Sequence, residues 1–223
     1  MERIVNSKRK QEKPTIADIQ QRLEREFDRL ISDLAFCGEF LSRDYLRLPK
    51  ANEYDKAIVS ANQIYHSCEE CAVITTARLW DERGDEMSLC KVKREHASIL
   101  GEQSKLTSSF VERWYKNYDD LFLSDIKNSL LVYRDEELGH NLIDSGKRRK
   151  SEKLRDLGTQ GERSFNAKNG QILDYCEKSA RLLFMTVATF EKARWPIEEW
   201  EAQFAKVMSE NREFHGCLLE KLK

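Results

Sequence analysis

The sequence predicts an all-α protein, a bundle of long antiparallel helices with added shorter ones. Three observations predict it. Glycine and proline are scarce, with nine and three copies among 223 residues, and 35 % of the residues are charged. That mixture suits long helices with solvated faces. Apolar residues recur at spacings of three and four along most of the chain, and no stretch keeps the strict alternation of a half-buried strand. No period of about 20–50 residues repeats, which argues against a solenoid.

The elements follow in order. Residues 1–13 are polar and read as a frayed N-terminus, and residues 14–223 as one helical domain. Pro14 and Thr15 open the first helix, with Asp18 three residues after Thr15 in a variant of the capping box. Its apolar face is Phe27, Leu30, Leu34, Cys37 and Leu41, and the helix runs to about Leu46. Asn52 with Asp55 caps a second helix whose stripe passes through Ile58, Ala61, Tyr65, Cys68 and Ala72 to Leu79. Asp81 to Asp85 reads as a turn. A shorter helix follows from about Ser88 to Leu100, with Gly101 as its C-terminal cap. Ser109 with Glu112 offers a capping box, so a helix starts near Thr107; the pattern leaves open a break around Asn117-Tyr118-Asp119. From Asp119 the stripe resumes with Phe122, Ile126, Leu130 and Tyr133 and leads into Arg134. Residues 144–169 are polar and basic at their start, and form a long connection or a weak helix. Gly170 to Ala193 is the most apolar helix, and Pro196 takes the first position of the last one, with Glu198 and Glu199 on the positive end of its dipole.

Composition narrows the function classes. The formal net charge is −1, so the whole-molecule field says little about partners. Met1 is followed by a polar, basic stretch, which predicts no secretory leader. The longest apolar run, Leu182 to Phe190, is far short of the roughly 20 residues of a membrane helix. The expectation is a cytoplasmic protein with no membrane partner. The cysteines, Cys37, Cys68, Cys71, Cys90, Cys176 and Cys217, are expected to be reduced, and most fall on apolar helical faces. Cys68-Glu69-Glu70-Cys71 is formally a CxxC, with His66 two residues before it. It has no second pair at zinc-site spacing and no preceding strand, so it reads as structural. Trp80 and Trp114 lie on apolar faces and read as core. His66, His96 and His215 read as structural or surface residues.

The segment that carries chemistry is Arg134-Asp135-Glu136-Glu137-Leu138-Gly139-His140. Arg134 and His140 are six residues apart, about 120° around an ideal helix. They converge only if the helix ends or distorts between them, and Gly139 is the place for that. Otherwise Arg134 is a surface residue within reach of Glu137. A carboxylate-bridged metal centre needs two Glu-x-x-His motifs on facing helices, and only Glu137-Leu138-Gly139-His140 is present. No metal or cofactor is expected.

Leu130-Leu131-Val132-Tyr133-Arg134-Asp135-Glu136-Glu137-Leu138-Gly139-His140 resembles the signature of the HEPN superfamily: an Arg, usually followed by a polar residue, and a His with four to six residues between them, at the end of a bundle helix; the resemblance implies a four-helix core with additional helices. Ala77-Arg78-Leu79-Trp80-Asp81 followed by Met87-Ser88-Leu89, and Trp195-Pro196-Ile197-Glu198-Glu199-Trp200, resemble its AbiU-like branch, named for phage-abortive-infection proteins. The resemblance spans about residues 20–215. It departs at Gly139, where Ala is more usual, and at Leu142, where some relatives carry a Tyr that a partner modifies.

The resemblance implies a metal-independent endoribonuclease of a toxin–antitoxin or antiphage system. It also implies a homodimer whose two subunits line one cleft, and a possible antitoxin partner. In that chemistry His140 exchanges a proton near neutral pH with the ribose 2′-hydroxyl or the leaving 5′-oxygen. Arg134 forks onto the phosphate, and Asp135 orients either residue or the substrate. The products are a 2′,3′-cyclic phosphate and a 5′-hydroxyl. Lys147, Arg148, Arg149 and Lys150 read either as an RNA-phosphate contact or as a solvated loop. The alternative is a non-catalytic helical interaction module or regulatory subunit, since many HEPN proteins act that way.

Overall fold

The structure, a computed structural model, describes residues 15–42, 56–82, 88–95, 107–133, 171–190 and 197–220. They form α1 (Ile16–Ser42), α2 (Lys56–Leu79), α3 (Leu89–Arg94), α4 (Ser108–Phe122), α5 (Asp125–Tyr133), α6 (Gln171–Ala188), a 3-10 turn (Ile197–Glu199) and α7 (Trp200–Glu220). There is no strand among the described residues, and the fold is all-α as the sequence predicts.

α1 starts where Thr15 and Asp18 cap each other. The Asp18 N–H donates to Thr15 Oγ1 at 3.2 Å, and the Thr15 N–H donates to Asp18 Oδ2 at 2.9 Å. Its predicted stripe is buried at Phe27, Leu30, Leu34 and Cys37, with Leu41 half-buried. That stripe faces α2, α6 and α7, which pack around it. α6 is the most enclosed helix; Leu183, Phe184, Met185 and Val187 are fully shielded from solvent. Phe27, Phe184 and Phe204 meet at ring-centroid distances of 5.0–6.3 Å and join α1, α6 and α7. A second cluster of Phe36, Cys37, Phe40, Tyr65 and Leu219 closes the other end of α1.

The direction of the helices departs from a purely antiparallel bundle. Along α1, contacts with α2 run backwards, from Glu26–Arg78 to Cys37–Tyr65. Contacts with α7 run forwards, from Phe27–Phe204 to Ser32–His215 and Phe36–His215. The first and last long helices are therefore parallel neighbours. Long connections make this possible, because a short turn forces an antiparallel neighbour and a long crossover does not.

Local boundaries also shift. Glu95, rather than Gly101, caps α3, its N–H bonding to the Lys91 carbonyl at 2.9 Å. The cap of α4 is Thr107, whose Oγ1 accepts from the Phe110 N–H; Ser109 lies inside the helix. α4 runs unbroken through Asn117-Tyr118-Asp119, because Tyr118 is a buried core residue. The break falls at Leu123 and Ser124 instead. α6 gives way at Thr189 and Phe190 to a turn closed by bonds to the carbonyls of Thr186 and Val187, short of the expected Ala193. Glu198 and Glu199 sit in a 3-10 turn before α7.

Candidate functional site

α5 is the helix that leads towards the motif. It has nine residues, too few to be stable alone in water. Packing holds it. Leu130 is fully buried, and Ile126 and Leu131 pack against the core. Lys127 is only 5 % exposed. A buried ammonium needs a partner. Lys127 Nζ donates to Glu82 Oε1 at 3.2 Å and sits 3.5 Å from the centroid of the Phe122 ring. This lysine fixes α5 to the segment after α2.

Beside α5 stands an aromatic box. Trp80 is fully buried, and its Nε1–H donates to Ser179 Oγ at 2.9 Å. Tyr118, Phe122 and Tyr175 surround its ring at 5.3–6.4 Å. Trp114 donates to Thr186 Oγ1 at 2.9 Å and stacks on Tyr118. Burial drives the Tyr118 and Tyr175 hydroxyls far above the usual phenol range. Both tryptophans are core, as expected, and the residues carrying part of the AbiU-like resemblance have structural work here. Trp80 fills the box, Ser88 accepts from the Lys91 N–H to cap α3, and Leu89 and Trp200 are buried.

Tyr133 is the last described residue of α5, and Arg134 follows it in the sequence. Arg134, Asp135 and His140 lie outside the described residues, as do Lys147, Arg148, Arg149 and Lys150. His96 lies outside them too. His215 has a partner that sequence spacing does not reveal: its Nε2 is 3.2 Å from Ser32 Oγ, and its ring meets Phe36 edge-on. Burial lowers its pKa. His66 is half-exposed and 3.4 Å from Glu69, whose carboxylate also accepts from the Tyr65 hydroxyl at 2.9 Å.

The CxxC lies in the middle of α2, as expected. Cys68 is half-buried and Cys71 exposed, while Cys37, Cys90 and Cys176 are buried; all six cysteines are free. Burial pushes the Cys68 thiol up to about 12, helped by Asp33 and Cys71. A thiol held protonated is a poor nucleophile. Among the described residues no group of three His, Cys, Asp or Glu side chains is placed to hold a metal ion.

Among the described residues, grooves open between helices, two of them defined by their linings. One of about 350 Å³ lies where α4 breaks into α5 and is bordered by Asn117, Asp120, Ser124, Asp174 and Lys178. Lys178 is paired with Asp174 at 2.7 Å, and the Tyr175 hydroxyl beneath donates to the Leu121 carbonyl. The other, of about 310 Å³, lies between α1 and α2 at Asp33. Sequence reading passes over Asp33. Its signal is a carboxylate next to the apolar stripe of Leu30, Leu34 and Cys37.

Together these features define an all-α helical bundle with an anchored short helix before the Arg134–His140 segment. No family model, curated protein or solved structure matches the chain.

Proposed function

We propose that this chain is a HEPN-type endoribonuclease that cleaves RNA without a metal, acting as a homodimer in a toxin–antitoxin or antiphage context. The observation that carries the reading is the run Arg134-Asp135-Glu136-Glu137-Leu138-Gly139-His140, directly after α5 in an all-helical chain. In this reading the 2′-hydroxyl oxygen attacks the adjacent phosphorus and the bond to the 5′-oxygen breaks. His140 exchanges the proton at one of these oxygens. Arg134 neutralises the phosphate oxygens as charge gathers there, and Asp135 positions them. Lys147, Arg148, Arg149 and Lys150 hold the flanking backbone by charge, so binding weakens with salt. Anchoring of α5 by Lys127 and Leu130 supports the reading, since catalytic groups act best from rigid elements.

The test is incubation of purified protein with structured and unstructured RNA in excess EDTA, with His140→Ala in parallel. The expected outcome is cleavage that leaves cyclic phosphate ends and falls by at least about 100-fold in the variant, the usual worth of a general acid–base group. The variant should unfold at nearly the parental temperature. Equal cleavage by His140→Ala overturns the assignment, and a monomer in sedimentation at micromolar concentration overturns the shared cleft. One observation favours the alternative of a binding module: Phe214 and Leu218 stand 60 % and 44 % exposed, one turn apart on α7. Under that alternative no RNA is cleaved.

A further inference from the structure

The last helix carries more apolar surface than its own bundle uses. Phe204, Met208 and Leu219 face inward from α7 and are buried. A second stripe, Val207, Asn211, Phe214 and Leu218, recurs at spacings of four, three and four. At about 100° per residue these side chains lie within about 60° of one another around the helix. Val207 and Asn211 are half-buried, and Phe214 and Leu218 are exposed. Asn211 is the polar member, and its amide donates to the Val207 carbonyl at 2.9 Å. A surface helix of a bundle ordinarily has one apolar stripe, turned to the core. A second stripe with this spacing matches the seam along which two helices pack side by side.

Charge identifies what fits. Glu210 and Glu213 are exposed along one edge of the stripe, and Glu220 continues that edge. Lys206 lies on the same edge, 3.9 Å from Glu210, with both side chains mostly exposed. A pair so long and so exposed neutralises little. The edge is therefore acidic. In paired helices the charges flanking the seam choose the partner and its direction. We propose that this stripe docks a helix of a partner protein, with apolar residues seated on Phe214 and Leu218 and Lys or Arg side chains against Glu210 and Glu213. An RNA backbone or an anionic lipid surface meets like charge there. A second copy laid antiparallel along the stripe sets Glu210 and Glu213 against the same two carboxylates. Such docking does not depend on RNA cleavage.

The probe is a fluorescein-labelled helical peptide of about three heptads, with Leu along one face and Lys elsewhere, titrated with the full chain. Control peptides carry Glu in place of Lys, or Ser in place of Leu. The expected result is saturable, micromolar binding of the Leu–Lys peptide and none of either control at the same concentrations. Phe214→Ser with Leu218→Ser should weaken it by at least about tenfold. Glu210→Gln with Glu213→Gln should weaken it several-fold and make it less sensitive to salt. Glu198→Gln with Glu199→Gln, which removes the same charge from the 3-10 turn before α7, should leave it unchanged. Every substituted side chain is exposed, and far-UV circular dichroism verifies each fold. Equal binding of the Leu–Glu peptide, unchanged affinity in Phe214→Ser with Leu218→Ser, an equal loss in Glu198→Gln with Glu199→Gln, or no saturable binding overturns the proposal. Sedimentation tests the remaining occupant. Self-association of the parent that Phe214→Ser with Leu218→Ser abolishes assigns the stripe to a second copy and also overturns it.

Discussion

The aromatic box beside α5 and the seam at Asp33 both place polar atoms between helices, and they differ in how those atoms are satisfied. In the box each indole N–H has a hydroxyl acceptor at 2.9 Å: Ser179 for Trp80 and Thr186 for Trp114. The acceptors come from one helix, α6, so a single element aligns both bonds. At the seam, Asp33 Oδ2 has no hydrogen-bond partner among the described residues. Buried polar groups that are paired help to specify a packing, and those left over weaken it. The contrast separates a region built for rigidity from one built at some cost to stability.

The comparison breaks most visibly at Trp80. Trp80→Ala removes a fully buried indole and leaves a cavity against Tyr118, Phe122 and Tyr175. It should cost about 3–5 kcal/mol, read as a lower urea midpoint. Trp80→Phe keeps most of the ring but leaves the buried Ser179 hydroxyl without its donor, and should cost about 1–3 kcal/mol. A Trp80→Ala variant as stable as the parent would show that the box is not part of the core.

Asp33→Asn should go the other way. The folded carboxyl, raised by burial to about 6, holds its proton more tightly than the unfolded one, whose ordinary value is 3.8. The folded state therefore binds more protons across that window, and stability falls as pH rises through it. The rise sets an upper bound of roughly 3 kcal/mol. Partial solvation reduces the effect to about 1–2 kcal/mol. Asp33→Asn should recover this at neutral pH and gain nothing below the unfolded carboxyl's range. His215 has the opposite sign. Burial lowers its pKa, so its contribution is present above 6.5 and is lost as pH falls through the lowered value. Unfolding curves of the parent and Asp33→Asn across pH separate the two; parallel curves at all pH values would sink the Asp33 assignment.

How much of this was legible in the sequence follows from the range of the forces involved. The stripe Phe27, Leu30, Leu34 and Cys37 is a local pattern, and it is buried as its spacing predicts. The mutual cap of Thr15 and Asp18 is also local. The parallel pairing of α1 with α7 is not, because Ser32 and His215 are 183 residues apart. The spacing leaves open a break around Asn117-Tyr118-Asp119, and the structure puts it at Leu123 and Ser124. Asn117 instead donates to Met185 Sδ across to α6, and Tyr118 is locked among aromatic rings. At the candidate catalytic segment the sequence offers the motif and its place after α5, and Arg134, Asp135 and His140 lie beyond the described residues. The groove at Asp33 was not legible, since it needs α2 set against α1.

The smallest effect belongs to the helix that forms one wall of the box. Two residues compete for the start of α4. The sequence favours Ser109 with Glu112, and the structure shows Thr107, with extended backbone at ψ 149° and its Oγ1 3.3 Å from the Phe110 N–H. A cap works from outside the helix, where its side chain reaches back to an amide that has no carbonyl partner. Ser109, already inside α4, has its hydroxyl 3.0 Å from Thr107 Oγ1 and caps nothing itself. Thr107→Ala should therefore cost about 1 kcal/mol, whereas Ser109→Ala should change stability by less than roughly 0.5 kcal/mol. If thermal unfolding ranks the two variants in reverse, α4 begins at Ser109. Trp114 would then sit two residues closer to the start of its helix, and the rigidity assigned to the box would have to come from α6 alone.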